Sequence, residues 1–192
     1  MGTLKHVKNS FEVYKNYRFE TLDFLLSGTY TKYNNSIYIG KNGYLRMELV
    51  RKVSELCEGL NKPKVLEVGC GFGVNLYLLK YLNPSIDLHG FEYTSARLAS
   101  SILNLFNENN VQNLFLADAT KMKLEDNSFD FLYSVHVLEQ LGQEHAEVAM
   151  NEMWRVCRKG IIMIEPTIIG ANIYEKWRLK KIGYCEKLRL CC

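Results

Sequence analysis

The sequence predicts an α/β fold: a doubly wound, mostly parallel, Rossmann-like sheet with helices on both faces. From about residue 64 onward, short apolar runs alternate with longer amphipathic runs. This alternation is typical of strands joined by helical crossovers, which hold neighbouring strands parallel. The chain has 192 residues, of which 47% are hydrophobic. This size and composition suit one compact core and exclude wholesale disorder.

The apolar runs predict the strands of this sheet. They cover residues 64–68, 86–91, 114–116, 129–133 and 160–164. A glycine-rich segment, residues 69–73, follows the first run and leads into a predicted helix over residues 74–82. We expect this segment to lie at the carboxyl end of the first strand, where open parallel sheets bind their ligands.

Amphipathic patterns predict the other helices. The helix after the second strand begins behind a cap at Thr94 or Ser95, and its apolar stripe comprises Leu98, Ile102, Leu105 and Phe106. The helix before the fifth strand places on one face Ala149, Met153 and Val156. A helix over residues 45–60 precedes the first strand and ends before Pro63. Its predicted apolar stripe comprises Leu49, Val53, Leu56 and Leu60.

The glycine-rich segment carries the strongest chemical signal. Gly69, Gly71 and Gly73 have the spacing G-x-G-x-G, whereas the dinucleotide fingerprint has its third glycine one position later. Glu67 precedes them, and its carboxylate would repel a pyrophosphate but attract an ammonium group. Alternatively, Glu67 has no ligand-binding role and only caps the turn. The segment therefore disfavours a nicotinamide dinucleotide and favours a ligand with a cationic end.

With Cys70 at its centre, the segment reads E-x-G-C-G-x-G and resembles the loop of class I S-adenosylmethionine-dependent methyltransferases of the small-molecule type. The resemblance covers about residues 45–166. It implies S-adenosylmethionine as cofactor and S-adenosylhomocysteine as product. It also implies that the cofactor-binding residues in this loop are Glu67, Gly69, Cys70, Gly71 and Gly73.

Later segments extend the resemblance. Glu92, at the end of the second strand, matches the family's acid that accepts both ribose hydroxyls, and Tyr93 matches a side chain beside the adenine. Asp118 and the backbone N–H of Ala119 match the segment that binds the adenine. Ser134, at the end of the fourth strand, completes the implied cofactor site. Taken alone, Glu92 could be a solvated strand end, Asp118 an N-cap for the next turn and Tyr93 ordinary packing.

The mechanism that the resemblance implies is methyl transfer to a small molecule, with a hydroxyl as the expected acceptor. Such an acceptor needs a proton acceptor nearby, and His136, just past the fourth strand, has a pKa suited to general base catalysis. His136 could instead only shape the pocket. Glu139 and Glu165 are weaker candidates, and no triad of acids at the strand ends predicts a metal site.

Composition and motifs narrow the function. The net charge of +3 is too small to indicate nucleic-acid binding, and no apolar run is long enough to span a membrane. The first fifteen residues carry no apolar stretch, so we expect no secretory signal and a cytoplasmic location. The motif Asn/Asp-Pro-Pro-Tyr is missing from the sequence, which disfavours methylation of exocyclic amines. A non-catalytic cofactor-binding or regulatory subunit is the alternative function, and an NAD-dependent oxidoreductase is a weaker one.

The two ends of the chain differ from the core. Residues 1–44 are rich in aromatic side chains and form either a helical or looped arm on the core or a lid over the acceptor pocket; the core domain covers residues 45–192. After the fifth strand we expect one helix over residues 173–181 and one strand over residues 187–191, so the family's C-terminal hairpin is shortened or missing. We expect either that the chain is truncated here or that a second copy or another protein covers the open sheet edge.

Overall fold

A computed structural model describes residues 30–33, 36–39, 43–99, 113–166, 173–174 and 176–177. Its central feature is a sheet of five strands: β3 (Lys64–Val68), β4 (Asp87–Glu92), β5 (Asn113–Leu116), β6 (Phe129–Val135) and β7 (Cys157–Ile164). All neighbouring strands pair in parallel, in the order β5-β4-β3-β6-β7. The predicted α/β class and parallel sheet are therefore confirmed.

Helices cover both faces of this sheet. They are α1 (Gly43–Cys57), α2 (Val74–Leu82), α3 (Ser95–Ala99), a 3-10 helix (Leu138–Leu141) and α4 (Gly142–Val156). Successive side chains of a strand point to opposite faces. Accordingly, Leu66 packs with α4, whereas Val65 packs with α1 and α2. The predicted inner face of α4 is also confirmed, since it buries Ala149, Met153 and Val156.

The chain order places a switch point between two central strands. β3 lies in the middle, and the chain runs outward through β4 and β5 before it crosses to β6 and β7. Connections on the two sides of such a point diverge and leave a crevice at the carboxyl ends of the strands. The sheet therefore positions a ligand site next to the ends of β3 and β6.

Several predicted boundaries change in the structure. β6 continues to Val135, and β7 begins at Cys157, three residues before the predicted start. Helix α1 ends at Cys57, so Leu60 lies beyond it, and Leu56 is 43% exposed. The buried stripe of α1 comprises Leu49, Val50, Val53 and Cys57. At 3.6 residues per turn, this stripe leaves Leu56 at its edge, which explains the wrong assignment.

The aromatic-rich segment before α1 contains an antiparallel pair of strands. β1 (Tyr30–Tyr33) pairs with β2 (Ser36–Ile39), where the sequence led us to expect a helix or loop. Aromatic and β-branched residues favour strands, which accounts for the pair. The apolar stripe beyond Ala99 and the strand predicted over residues 187–191 lie outside the described residues, as do residues 1–29 and 178–192.

Candidate active site

A cavity of about 260 Å³ opens at the carboxyl ends of β3, β4 and β6. Nine of the eleven predicted site residues line it: Glu67, Gly69, Cys70, Gly71, Glu92, Tyr93, Asp118, Ala119 and His136. Gly73 and Ser134 are outside its lining. The structure therefore brings together residues that are up to 69 positions apart (136 − 67) in the sequence.

The glycine loop forms one wall of this cavity. Gly69 has φ +67°, and a Cβ atom there would lie 2.5 Å from Cγ2 of Val137, so a side chain would clash. Gly71 has φ +56°, but a Cβ atom there would meet no atom within 4 Å. Positive φ favours glycine at both positions. The open space beside Gly71 lets a ligand approach the backbone closely.

Glu67 is buried in the floor of the cavity, with 1% of its surface exposed. Its two oxygens accept hydrogen bonds from Asn75 Nδ2 at 2.7 Å and from the Tyr133 hydroxyl at 3.1 Å. Burial raises the pKa of Glu67 to about 8, because the low dielectric disfavours its charged form. Its carboxyl group is therefore mainly neutral at pH 7 until a cation comes next to it.

Arg46 and Asn75 connect Glu67 to helix α1, and the sequence reasoning missed both. Arg46 Nη1 donates to Asn75 Oδ1 at 2.6 Å, and burial lowers the pKa of the guanidinium. Asn75 is a single polar residue in the apolar start of α2 and is only 5% exposed. A single polar residue in an apolar helix start is the sequence signal that could have identified Asn75 as a site residue. Arg46 carries no such signal, because charged residues are ordinary on an amphipathic helix.

Glu92 is held rigidly at the end of β4. Its Oε2 accepts from Gly71 N at 2.9 Å, which joins it to the glycine loop. Its Oε1 accepts from Tyr93 N at 2.9 Å and from Thr94 N and Oγ1 at 3.2 and 3.3 Å. These four donors hold the carboxylate of Glu92 in one orientation in the lining of the cavity.

The segment after β5 supplies the opposite wall. Asp118 Oδ1 accepts from Thr120 N and Oγ1 at 2.8 and 2.7 Å, so this oxygen caps a turn as the alternative interpretation proposed. Both hydrogen bonds of this turn end on Oδ1 and not on Oδ2. Asp118 also lines the cavity. Ala119 is buried, and Tyr93 is 48% exposed at the cavity edge. Capping and ligand contact are therefore compatible at Asp118.

His136 follows β6 and lies in the left-handed region, with φ +56°. Its backbone N–H donates to Ile164 O at 2.9 Å, and its ring Nδ1 lies 3.3 Å from Glu139 Oε2. The hydrogen bond to Glu139 raises the pKa of His136 above its usual value, and the charge of Glu165 adds to this, while burial and Arg46 oppose it. A non-glycine residue at such a φ is uncommon and is often found at functional sites.

Two predicted residues have other places in the structure. Ser134 is fully buried, and its hydroxyl donates to Glu165 Oε1 at 3.0 Å instead of facing the cavity. Gly73, with φ +76°, precedes helix α2 and accepts from Tyr77 N at 2.9 Å. Both residues shape the segments that line the cavity. Within the described part of the chain, no group of three or more His, Cys, Asp or Glu side chains is arranged to hold a metal ion.

Comparison with known families decides the assignment. A profile of the methyltransferase domain family matches residues 66–164, which is more than half of the chain. This chain belongs to the methyltransferase domain family. The cofactor that membership implies is S-adenosylmethionine, with S-adenosylhomocysteine as the product. The family resemblance identified from the glycine-rich segment is thereby confirmed.

Three relatives show how far this methyltransferase domain extends. O-methyltransferase 3 of Dictyostelium discoideum is 27% identical over 147 residues, which are 72% of this chain and 32% of that protein. A Galdieria sulphuraria structure named as a sarcosine dimethylglycine methyltransferase aligns with a TM-score of 0.63 and 16% identity, over 97% of this chain and 69% of its own. The [4+2]-cyclase SpnF aligns with a TM-score of 0.50 and 21% identity, over 58% and 41%. The chain thus spans about a third of the curated relative.

The residues of this methyltransferase domain fit the implied cofactor. S-Adenosylmethionine has an ammonium and a carboxylate at one end, two vicinal hydroxyls in the middle and an adenine at the other end. The cavity is lined by the buried Glu67 and the half-buried Arg46, by Glu92, and by Asp118 with Ala119. The described residues contain no helix that is both long and apolar enough to cross a membrane.

Proposed function

We propose that this protein transfers the methyl group of S-adenosylmethionine to a hydroxyl group of a small molecule. The observation that carries the proposal is the convergence of Glu67, Glu92, Asp118 and His136 on one cavity at the strand ends. Three of these residues match the polar parts of the cofactor. The fourth, His136, is a proton acceptor of the kind that a hydroxyl acceptor requires.

The amino-acid end of the cofactor would bind at the end of β3. Glu67 would ionise to pair with the ammonium group, and Arg46 would pair with the carboxylate. Asn75 lies between them and hydrogen-bonds to both side chains, at 2.7 Å to Glu67 and 2.6 Å to Arg46. The Asn75 amide thereby holds the two opposite charges at a fixed spacing.

The nucleoside end would bind between β4 and the segment after β5. Glu92 would accept hydrogen bonds from the two ribose hydroxyls, and its four protein donors keep it in place. Asp118 and the backbone N–H of Ala119 would bind the adenine edge, with Tyr93 beside its face. Each of these groups ends a strand or lies in the segment that follows one, so the sheet determines their mutual distances.

The transfer needs little from the protein beyond alignment and removal of one proton. When bound, S-adenosylmethionine supplies an activated methyl group on its positively charged sulfur. His136 would take the proton from the acceptor hydroxyl as its oxygen forms the new bond to the methyl carbon. Glu139, at 3.3 Å from the ring, would stabilise the imidazolium that results. Val137 and Leu141 also line the cavity, and their apolar side chains would limit the access of water to the reacting groups.

The experiment that tests this proposal is a screen of cell-extract metabolites with the purified chain and cofactor carrying a labelled methyl group. We expect label to appear in a neutral, alkali-stable ether product. The variant His136→Ala should lose about a hundredfold or more in turnover while it binds S-adenosylhomocysteine normally. The matched control is His145→Ala, a histidine of helix α4 that does not line the cavity.

Two other outcomes would redirect the proposal. Label in an amine product would move the acceptor class towards that in the name of the Galdieria relative. Cofactor binding without transfer to any extract fraction would favour the non-catalytic alternative. The second outcome is worth testing because the SpnF relative carries the name of a cyclase on the same fold. The name of the Dictyostelium relative, an O-methyltransferase, supports the hydroxyl acceptor.

The remaining expectations are proposals of the same kind. We propose that residues 1–44 act as an aromatic-rich arm or lid beside the core domain 45–192. A cytoplasmic location and a second chain on the open sheet edge are predictions that follow from the sequence alone. Size-exclusion chromatography coupled to light scattering would test the second of these.

A further inference from the structure

Glu165 follows the end of β7 and contacts three parts of the segment that carries His136. Its Oε1 accepts from Ser134 Oγ at 3.0 Å and from Val137 N at 3.1 Å. Its Oε2 accepts from Glu139 N at 3.2 Å. One oxygen thus holds the chain on both sides of His136, and the other holds the residue whose carboxylate meets the imidazole.

The backbone of His136 needs such support. Its φ of +56° is unfavourable for a residue with a Cβ atom, so neighbouring contacts must offset the strain. Ile164 O accepts from the His136 N–H at 2.9 Å, so β7 holds this residue directly as well. Gln140 donates to the His136 carbonyl from the 3-10 helix. The conformation is therefore fixed from β7 and from the following helix together.

We propose that Glu165 is the positioning residue of this site, whose carboxylate sets the distance between the His136 ring and the Glu139 carboxylate. The proposal rests on the proposed role of His136 as the base. Glu165 does not line the cavity, so it acts through the other two residues. A change that loosens Glu165 should make His136 a weaker base without altering the cofactor contacts of Glu67 or Glu92.

The ring of His136 also responds to charge alone, and the test must separate charge from position. The groups that influence it are Glu139 on the 3-10 helix, Glu165 after β7 and Arg46 on α1. The variant Glu165→Gln removes a charge and hydrogen-bond acceptors together. The variant Glu165→Asp retains the charge but is one methylene shorter, so we expect its carboxylate to lose the contact with Val137 N or with Glu139 N.

The experiment follows the ring resonances of His136 by NMR against pH in the cofactor-free protein, assigned by their loss in His136→Gln. We expect the midpoint to fall by about half a pH unit or more in both Glu165→Asp and Glu165→Gln. The titration midpoint of His136 should fall by a similar amount in the variant Glu139→Gln. In the double variant Glu139→Gln with Glu165→Asp, the midpoint should match that of Glu139→Gln alone, since coupled residues are not additive.

A wild-type midpoint in Glu165→Asp, with a lower one only in Glu165→Gln, would mean that Glu165 acts by its charge and would overturn the proposal. If Glu165→Gln does not fold, Glu165→Asp decides the question by itself. In the methyl-transfer assay, Glu165→Asp should lower kcat about tenfold or more with an unchanged KM for the cofactor. Because the titration needs no turnover, a protein that fails to transfer methyl groups would still reveal whether Glu165 positions His136.

Discussion

Glu67 leads to a prediction that depends on its burial as well as its identity. Its pKa of about 8 means that the carboxyl group is mostly protonated in the cofactor-free protein at pH 7. An ammonium group placed beside it would favour the ionised form and lower this pKa. Binding of the cofactor should therefore release a proton to the solvent.

The amount released follows from the pKa. At pH 7, a group with a pKa of about 8 is about 0.9 protonated, so ionisation on binding releases about 0.9 proton. At pH 6 the release is about one proton. The same linkage makes binding about ninefold stronger at pH 7 than at pH 6, because less free energy is needed to ionise the group.

Isothermal titration calorimetry in buffers of different ionisation enthalpy measures this release directly. S-Adenosylhomocysteine is the better probe because its neutral thioether does not repel an imidazolium. The slope of binding enthalpy against buffer ionisation enthalpy should correspond to about 0.9 proton at pH 7. The variant Glu67→Gln retains the size of the side chain and should abolish the slope, whereas His136→Gln should retain it.

A slope of zero in the wild-type protein between pH 6 and 7 would refute this reasoning. It would mean that Glu67 is already ionised before binding, with Arg46 as its counter-charge, or that the ammonium group binds elsewhere. A slope retained in Glu67→Gln would assign the proton to another residue. Binding that weakens from pH 6 to 7 would also contradict the predicted direction.

Three further predictions follow from the structure. Glu92→Ala should weaken cofactor binding by at least about tenfold, or 1.4 kcal/mol, in calorimetry, while Asp87→Ala at the other end of β4 should leave affinity unchanged. Met153→Ala should lower the free energy of unfolding by about 2–5 kcal/mol in urea titrations, because Met153 is fully buried. Tyr81→Ala, at a side chain that is 76% exposed, should change it by about 0.5 kcal/mol or less. The pKa of Glu67 is higher in the folded than in the unfolded protein, so the folded state binds more protons between these two pKa values. The free energy of unfolding of the cofactor-free protein should therefore fall as the pH rises from about 5 to 8, by up to about 1.4 kcal/mol per pH unit. Glu67→Gln should flatten that part of the pH profile, and an identical slope in both proteins would contradict the assignment.

Much of the fold was predictable because local patterns agree with the packing. The run 64–68 gives β3 with the expected bounds, and the predicted α2 also matches, Val74–Leu82. The predicted start of β7 was wrong because two of the first three residues of this strand are charged, and charged residues are typical of a loop. A strand end with exposed charges carries no apolar pattern, so only the hydrogen bonds with β6 define it.

The site was predictable where the loop after a strand carries its own motif. Glu67, Glu92 and Asp118 each follow or end a predicted strand, and parallel strands bring their carboxyl ends to one edge. Arg46 was not predictable, since its place in the cavity depends on how α1 packs against α2. Ser134 was assigned to the cofactor site, but the structure directs its hydroxyl to Glu165 instead.

The sequence by itself determined the fold class, the family and the set of strand ends that form the cavity, because these follow from hydrophobic spacing and glycine positions along the chain. The tertiary structure alone decided the protonation of Glu67, the contact between Arg46 and Asn75, and the support of His136 by Glu165. These properties depend on burial and on distances between residues remote in sequence. A one-dimensional pattern does not encode dielectric environment, so the chemistry of each carboxyl group emerges only when the elements pack.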